Sequence, residues 1–342
     1  MRAYQWEEVM AYEAEEAKRL VIEAGHRLTK AGLVARTWGN ISARISDTQF
    51  VITPSGMAYD RITPDDIVTV NIADCSYEGN IKPSSEKGIH AETYALRSDV
   101  NFIIHTHQLY ATAYGVTGYP LRLRDKVLGE IVPNATYAIS ATKKLKENVI
   151  ASLTDNPKAS AVFMRGHGAL FLGADCESCF AASERLEDLC RAKVKDTLHL
   201  DGAEDAPLTI PDVLRKRMGS AALLFTDSPA VYEASKSGRT KFPVIDDMAQ
   251  IGGTDFVCLN IRSGWEKAAA ISLAERNVVF IRGRGAVCSG ASPDEAEAVA
   301  VVLEKNCLSA LYAQAMNVDF RIRFPDALLQ RGIYRLKYSK LK

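Results

Sequence analysis

The sequence predicts an α/β fold, in which helices alternate with short strands. Three observations support this prediction. Apolar residues in the segment 6–31 recur at alternating steps of four and three, which is the period of an amphipathic helix. Short apolar or alternating runs bounded by turn residues follow, for example at 67–72 and 101–107, and are typical of strands. A motif at 163–169 recurs at 280–286, which indicates a second, related α/β unit.

Length, charge and cysteine content limit the class of protein. The 342 residues are enough for one large domain or two medium ones. Lys plus Arg and Asp plus Glu both number 42, and this balance argues against a nucleic-acid partner. No apolar run approaches the roughly 18 residues of a membrane helix, and the beginning of the chain lacks the pattern of a signal peptide. We expect the seven scattered cysteines to be reduced thiols and the protein to be cytoplasmic.

The predicted elements of the first half follow in chain order. The helix over 6–31 is expected to end at Gly32, which suits a helix C-terminus. Strands are predicted at 38–44, 50–53, 67–72, 101–107, 161–164 and 171–173. Further helices are predicted at 87–97, 109–116, 142–153 and 178–197.

The last of these helices carries two features that require interpretation. Its polar residues, among them Glu184 and Glu187, are expected to face outward. Cys176 and Cys179 form a C-x-x-C, but no second pair exists, so buried helix thiols are favoured over a metal or redox site.

Two histidines at the end of an apolar strand are the strongest candidates for metal ligands. Side chains at i and i+2 of a strand share a face, so His105 and His107 can bind one ion together. Burying both imidazoles without an ion requires partners for four ring nitrogens. His167, between two glycines, offers a third imidazole, and Glu86 offers a carboxylate. This donor set suits zinc or a similar divalent ion, whereas His90 is expected to lie on a helix face and not to bind metal.

Turn residues that can donate hydrogen bonds to a phosphate form a second group. Gly56 can expose backbone N–H groups, and Ser55 adds a hydroxyl. Asn40 and the pair Ser84 and Ser85 add further neutral donors. Each of these residues alone is better explained as a turn residue, so their joint assignment depends on the resemblance described below.

The second half repeats part of the first half at an offset of 117 residues. The repeat aligns Gly173 with Gly290 and Leu186-Glu187 with Leu303-Glu304. An offset maintained over more than twenty residues indicates duplication of a structural unit.

The repeat does not preserve the third candidate metal ligand, His167. Arg284 occupies the position of His167, and a guanidinium stays protonated and cannot bind a metal. No histidine follows His199, so the second half cannot hold a site of the same kind. We interpret it as a degenerate copy with a structural or interface role. Anion binding by Arg282 and Arg284 is the alternative.

Five short motifs occur in a fixed order over about 130 residues. They are Gly39-Asn40-Ile41-Ser42-Ala43-Arg44, Ile52-Thr53-Pro54-Ser55-Gly56, Lys82-Pro83-Ser84-Ser85-Glu86, His105-Thr106-His107 and Gly166-His167-Gly168. Together they make the segment from about Glu15 to Lys193 resemble the class II aldolase/adducin family. The resemblance implies a three-layer α/β/α domain with a mostly antiparallel central sheet, and ring-like homotetramers with sites between subunits.

The resemblance also implies a role for each motif residue. It makes His105, His107 and His167 the ligands of a divalent ion, usually Zn²⁺, with Mn²⁺ and Co²⁺ as alternatives. Glu86 matches the acid/base residue, which also binds the metal when substrate is absent. Tyr137 matches a tyrosine that is contributed to the neighbouring subunit's site. The implied phosphate-binding residues are Asn40, Ser55, Gly56, Ser84 and Ser85.

We therefore expect three segments and one main function. Residues 1–200 form the catalytic domain, 201–211 a linker with glycine and prolines among acidic residues, and 212–342 the degenerate repeat. The expected function is metal-dependent cleavage of a phosphorylated ketose to dihydroxyacetone phosphate and an aldehyde. A pentulose-phosphate 4-epimerase, a sugar-acid-phosphate decarboxylase or a thioribulose-phosphate dehydratase would use the same scaffold. A non-catalytic, adducin-like scaffold is a third hypothesis, against which the intact histidine triad argues.

Overall fold

The computed structural model describes residues 11–34, 38–203 and 206–338. Its helices are α1 Ala14–Lys30, α2 Lys87–Leu96, α3 Leu109–Gly115, α4 Lys143–Asp155, α5 Cys176–Thr197, α6 Asp212–Met218, α7 Pro229–Lys236, α8 Asp246–Ile251, α9 Trp265–Glu275, α10 Pro293–Ala315 and α11 Phe324–Ile333. Its strands are β1 Asn40–Arg44, β2 Gln49–Ile52, β3 Val68–Asn71, β4 Phe102–Thr106, β5 Leu121–Asp125, β6 Gly129–Val132, β7 Asn134–Ala135, β8 Ala161–Met164, β9 Gly168–Gly173, β10 Ala222–Thr226, β11 Cys258–Leu259, β12 Val278–Ile281 and β13 Gly285–Gly290. The chain divides into two compact units, one of 1–111 with 118–189 and the other of 112–117 with 190–342.

The first unit is built on a mostly antiparallel sheet. Seven strands of the described residues lie in the order β3-β2-β1-β4-β9-β8-β7, and only β7 and β8 pair in parallel. Helices α2 and α4 pack on one face through a common apolar core. Ile41 and Ala43 of β1 point to the opposite face, and α1 contacts β1 and β2. The predicted three-layer α/β/α fold with a mostly antiparallel sheet is confirmed.

Some element boundaries differ from the prediction. The first helix, predicted over 6–31, begins at Ala14, and residues 1–10 lie outside the described part of the chain. Glu15 and Glu16 occupy its first turn, where the helix dipole favours acidic residues. The β5–β6 hairpin was not predicted. Oδ1 of Asp125 closes its turn by accepting hydrogen bonds from Val127 N and Leu128 N.

The prediction that Glu187 of α5 faces outward is wrong. Its side chain is buried, and its two carboxylate oxygens accept hydrogen bonds from Tyr110 N at 3.0 Å and Ala111 N at 2.8 Å. These N–H groups belong to the first turn of α3, which has no intrahelical partners for them. Glu184, one turn earlier on α5, is exposed as predicted. The periodicity of one helix therefore could not indicate that its carboxylate caps another.

Replacing Glu187 by Ala is expected to lower the free energy of unfolding by about 2 kcal/mol, because the buried N–H group of Ala111 and the partly buried N–H group of Tyr110 lose their acceptor. Urea denaturation followed by circular dichroism measures this change. The matched variant Glu184→Ala removes an exposed carboxylate from the same helix and is expected to change stability by less than about 0.5 kcal/mol. Equal effects of the two substitutions would contradict the capping role of Glu187.

The second unit contains a sheet whose register follows the sequence repeat. Four strands of its described residues lie in the order β10-β13-β12-β11. The β8–β9 hairpin pairs Ala161 with Phe171, and the β12–β13 hairpin pairs Val278 with Cys288, so both positions move by 117 residues. β10 pairs antiparallel with β13 as β4 does with β9, and β11 pairs parallel with β12 as β7 does with β8. Strands β10-β13-β12-β11 of the second sheet therefore pair in the same way as β4-β9-β8-β7 of the first sheet.

Two further sequence interpretations concern the helices and the cysteines. No helix among residues 11–34, 38–203 and 206–338 is long and apolar enough to cross a bilayer. The seven cysteines all lie in this part of the chain, and none forms a disulfide. Cys176 and Cys179 are buried in α5.

Candidate active site

Three histidines converge in the first unit. His105 is the fourth residue of β4, His107 follows the end of that strand, and His167 lies in the turn between β8 and β9. His105 Nε2 lies 2.9 Å from His107 Nε2 and 3.1 Å from His167 Nε2. All three side chains are buried. The pairing of β4 with β9, in which Thr106 lies opposite Ala169, brings these sequence-distant side chains together.

The hydrogen bond on the far side of His105 fixes which ring nitrogen carries the proton. His105 Nδ1 lies 2.9 Å from the carbonyl oxygen of Ala169, and a carbonyl oxygen only accepts. Burial lowers the pKa of His105 to about 3, so the ring is neutral at pH 7. Its Nε2 therefore presents a lone pair to the other two histidines. An imidazole whose second nitrogen is held by a backbone carbonyl is oriented for metal binding.

Glu86, which immediately precedes α2, lies beside the histidines. Its Oε1 lies 3.0 Å from His167 Nε2, and its Oε2 lies 3.4 Å from His105 Nε2. Burial alone raises the pKa of Glu86, but the interactions with His167 and His105 and a hydrogen bond from Asn40 hold it well below its usual range. A buried carboxylate in this state requires a compensating positive charge nearby.

These residues fit a divalent cation. The described residues contain one group that could hold a metal, His105, His107 and His167, with ligand atoms within 4.8 Å of one another. Two nitrogens in a tetrahedral zinc shell with bonds of about 2.0–2.1 Å are roughly 3.3 Å apart, close to the separations from His105 Nε2. Three imidazoles and a carboxylate also suit Mn²⁺ and Co²⁺. A cation between these side chains explains why the nitrogen lone pairs of the histidines and the buried Glu86 carboxylate converge.

Gly168 allows the His167 turn to approach β4. A Cβ atom added at Gly168 would collide with the Thr106 carbonyl oxygen and lie 3.2 Å from His105 Cε1. Gly285 occupies the equivalent position of the second unit, where a Cβ atom would collide with the Thr226 carbonyl oxygen.

We expect Gly168→Ala and Gly285→Ala each to destabilise the protein by about 1–3 kcal/mol, since the backbone must move to admit a methyl group. Thermal unfolding measures this change. Only Gly168→Ala should also weaken zinc binding, measured by calorimetric titration, because only that methyl group contacts a histidine of the triad. An equal loss of zinc affinity in the Gly285→Ala protein would contradict this assignment.

Four of the five residues predicted to bind phosphate, Ser55, Gly56, Ser84 and Ser85, lie on two loops that hydrogen-bond to each other, and Asn40 begins β1. Ser55 N donates to Lys82 O at 2.8 Å, and Ser84 N donates to Thr53 O at 3.0 Å. Gly56 has a φ of 76°, a conformation that favours glycine. The 53–56 and 82–86 loops are thus adjacent, as a common phosphate site requires.

Ser84 contacts the backbone N–H of Glu86, and Asn40 contacts its carboxylate. Ser84 is buried, and its Oγ accepts a hydrogen bond from Glu86 N at 3.2 Å, whereas Ser85 is exposed. Asn40 Nδ2 donates to Glu86 Oε2 at 2.9 Å. Nδ2 carries a second N–H, so a contact between Asn40 and a phosphate stays a prediction.

Tyr137 and His90 are the two remaining residues for which the sequence analysis predicted a role or a position. Tyr137 is partly buried just after β7, and β8 and β9 separate that strand from β4. Its predicted role concerns a neighbouring subunit and stays a prediction. His90, expected to lie on a helix face, is fully buried and lies 2.5 Å from Asn40 Oδ1 through its Nε2. Its position one helical turn after Glu86 is the sequence signal that could have identified it.

Residues 19–194, just over half of the chain, match the family model of the Class II Aldolase and Adducin N-terminal domain. The chain belongs to this family. The family predicted from the five motifs is therefore confirmed, and the match ends before most of the second unit begins.

Similar proteins include enzymes that act on phosphorylated sugars. The 5-deoxy-D-ribulose 1-phosphate aldolase of Bacillus thuringiensis serovar kurstaki is 30% identical over 171 residues, which are 49% of this chain and 79% of that protein. The L-fuculose phosphate aldolase of Escherichia coli O6:H1 is 29% identical over 183 residues, which are 52% of this chain and 83% of that protein. A solved structure of an L-fuculose 1-phosphate aldolase matches with a TM-score of 0.50 and 29% identity, covering 61% of this chain and 95% of that one.

Proposed function

We propose that this member of the class II aldolase family is a divalent-metal-dependent lyase. It cleaves a phosphorylated ketose, of the kind represented by L-fuculose 1-phosphate, to dihydroxyacetone phosphate and an aldehyde. The observation that carries the proposal is the convergence of the His105, His107 and His167 Nε2 atoms beside the Glu86 carboxylate. The names of two similar aldolases, which refer to sugar phosphates, support the choice of substrate class.

The three histidines and Glu86 would hold the cation, for which Zn²⁺ is our first choice. A divalent cation at this point supplies Lewis-acid stabilisation of the negative charge that develops on the substrate oxygens when the carbon–carbon bond breaks. The burial of the histidines excludes water from their side of the site and strengthens these charge interactions.

The remaining steps belong to side chains of the protein. Glu86 moves the proton on the carbon next to the carbonyl group, and Asn40 orients this carboxylate by donating to Oε2. The 53–56 and 82–86 loops bind the phosphate through Ser55, Gly56, Ser84 and Ser85, which fixes the distance from the phosphate to the reacting carbons. The neighbouring subunit's Tyr137 exchanges a proton with the aldehyde oxygen.

Incubation of the zinc-loaded protein with a panel of ketose 1-phosphates tests the proposal. The panel includes L-fuculose 1-phosphate and 5-deoxy-D-ribulose 1-phosphate, and a coupled assay detects dihydroxyacetone phosphate. We expect its release from at least one substrate, loss of release with a chelator and recovery when Zn²⁺ is added back. Release that resists the chelator contradicts metal dependence. NMR of the products distinguishes an epimer, a decarboxylated product or a dehydrated product from aldol cleavage, and any of these would replace the aldolase assignment.

The proposal includes a reducing compartment and an assembly. We place the enzyme in the cytoplasm, which the seven cysteines without disulfides support. We also propose a homotetramer, in which the second unit has a structural or interface role. Light scattering of the active protein is expected to give the mass of four chains, and an active monomer would contradict this.

A further inference from the structure

A buried chain of hydrogen bonds leads from Glu86 into the first unit. Asn40 Nδ2 donates to Glu86 Oε2 at 2.9 Å, and Asn40 Oδ1 lies 2.5 Å from His90 Nε2. His90 Nδ1 lies 2.7 Å from Ser42 Oγ, which in turn lies 2.7 Å from the Tyr94 hydroxyl. All five side chains are buried.

The carboxylate at one end fixes the direction of the first two hydrogen bonds. The Asn40 amide presents its Nδ2 donor to Glu86 Oε2, so its other polar atom, Oδ1, faces His90. Since Oδ1 only accepts, His90 Nε2 must carry the ring proton.

The same reasoning orients the rest of the chain. Burial lowers the pKa of His90 to about 4, so the ring is neutral at pH 7 and its Nδ1 must accept. Ser42 therefore donates its only hydroxyl proton to His90. The Tyr94 hydroxyl must then donate to Ser42, and every proton of the chain points towards Glu86.

Strand and helix geometry explains why these residues meet. Asn40 and Ser42 are two residues apart on β1 and share a face. Glu86, His90 and Tyr94 follow each other at steps of four along α2 and its first flanking residue. The chain of hydrogen bonds alternates between the strand and the helix that packs on it.

Arg44, the next residue on the same face of β1, secures the far end. Its Nη2 donates to Tyr94 O at 2.7 Å, its Nε donates to Val100 O at 3.0 Å, and its guanidinium carbon lies 4.8 Å from the centroid of the Tyr94 ring. The Tyr94 ring, whose hydroxyl begins the chain of hydrogen bonds, therefore has little freedom to rotate away.

We propose that His90, Ser42 and Tyr94 are positioning residues that hold the Glu86 carboxylate in place through Asn40. Hydrogen bonds that all point the same way strengthen one another, and together they prevent the Asn40 amide from turning over. Oε2 of Glu86 is thereby fixed and Oε1 is kept on the side of His167. The inference rests on the proposed function, in which Glu86 moves the substrate proton.

Steady-state kinetics of the zinc-loaded enzyme tests the positioning role. We expect His90→Leu to lower kcat by about 10- to 100-fold with an unchanged KM and unchanged zinc content, because Glu86 loses its orientation. His90→Gln is expected to restore most of kcat, since its side-chain amide can donate to Asn40. A His90→Leu protein with the kcat of the wild type would overturn the proposal.

Two tyrosines provide a matched pair of milder variants. Tyr94→Phe removes one oxygen from the chain and is expected to lower kcat, whereas Tyr59→Phe removes a hydroxyl that is equally buried but outside the chain. Tyr94→Phe tests the proposal even where the His90→Leu protein does not fold. Equal kcat values for the two tyrosine variants would overturn it.

Nitrogen-15 NMR of histidine-labelled, zinc-loaded protein tests the direction of these hydrogen bonds and does not depend on catalytic activity. We expect His90 to show a protonated, pyrrole-type Nε2 and an unprotonated, pyridine-type Nδ1, with the signals assigned by their loss in His90→Gln. Tyr94→Phe should shift the Nδ1 signal and Tyr59→Phe should not. A proton on Nδ1 overturns the proposal. Absence of turnover with every ketose phosphate would instead overturn the proposed function. The NMR result would still decide the direction of the hydrogen bonds between Tyr94 and Glu86.

Discussion

Replacing His167 by Ala is expected to remove the bound divalent metal and to lower kcat/KM for ketose-phosphate cleavage by roughly 10³-fold or more. His167 Nε2 lies 3.1 Å from His105 Nε2 and 3.0 Å from Glu86 Oε1, so its loss removes one of the three nitrogen donors. Lewis-acid stabilisation supplies several kcal/mol to the transition state, and this contribution disappears with the ion. Elemental analysis of the purified protein gives the metal content, and the coupled assay gives kcat/KM.

The chain offers a matched control for this substitution. Arg284 occupies the position of His167 in the second hairpin, three residues after the end of β12, as His167 lies three residues after the end of β8. Arg284→Ala is expected to retain both the metal and the activity. Retention of the metal in the His167→Ala protein, or equal losses in the two variants, would contradict the role of His167 as a ligand.

The second large effect is expected for Glu86→Gln, which should lower kcat by about 10²- to 10⁴-fold while the three histidines still hold the metal. The substitute keeps an amide oxygen that can accept from Asn40 Nδ2, so the local packing changes little. It lacks a carboxylate that can take up a proton. Exchange of the carbon-bound hydrogen of dihydroxyacetone phosphate with solvent measures this step separately from bond cleavage, and we expect that exchange to fall with kcat.

Glu92→Gln provides the control, because Glu92 also lies on α2 but is only partly buried and is paired with Lys146. Its exchange rate is expected to equal that of the wild type. If the Glu86→Gln protein exchanged hydrogen at the wild-type rate, Glu86 would not be the group that moves the proton.

The identities of the candidate ligands could be predicted from the sequence, but their proximity could not. The spacing of His105 and His107 follows from the two-residue period of a strand. Their approach to His167 depends on β4 pairing with β9, a contact between segments more than sixty residues apart. Local patterns do not encode strand order, and only the resemblance to a family indicated that the three residues meet.

The residues that sequence reasoning missed are buried polar side chains with partners on other elements. Glu187 reads as an outward residue of an amphipathic helix but caps α3. His90 reads as a helix-face residue but connects Asn40 to Ser42. A single sequence shows which residues share a face of a helix or strand. It does not show which hydrogen-bond donors and acceptors of other elements pack against that face.

The second unit shares the pairing of four strands with the first unit but differs from it at the positions of the candidate site. Among its described residues, β10 is an edge strand, whereas β4 in the first unit pairs on its other side with β1, which carries Asn40. At the equivalent of His105, which pairs with Leu170, the second sheet has Phe225 paired with Val287. The described part of this unit therefore has neither the imidazoles nor the strand that orients the carboxylate.

Anomalous diffraction from crystals of the zinc-loaded protein, recorded on both sides of the zinc absorption edge, tests the central claim most directly. We predict one zinc ion per chain, bonded to Nε2 of His105, His107 and His167 at about 2.0–2.1 Å. An anomalous map without a peak between these three nitrogens would contradict the account.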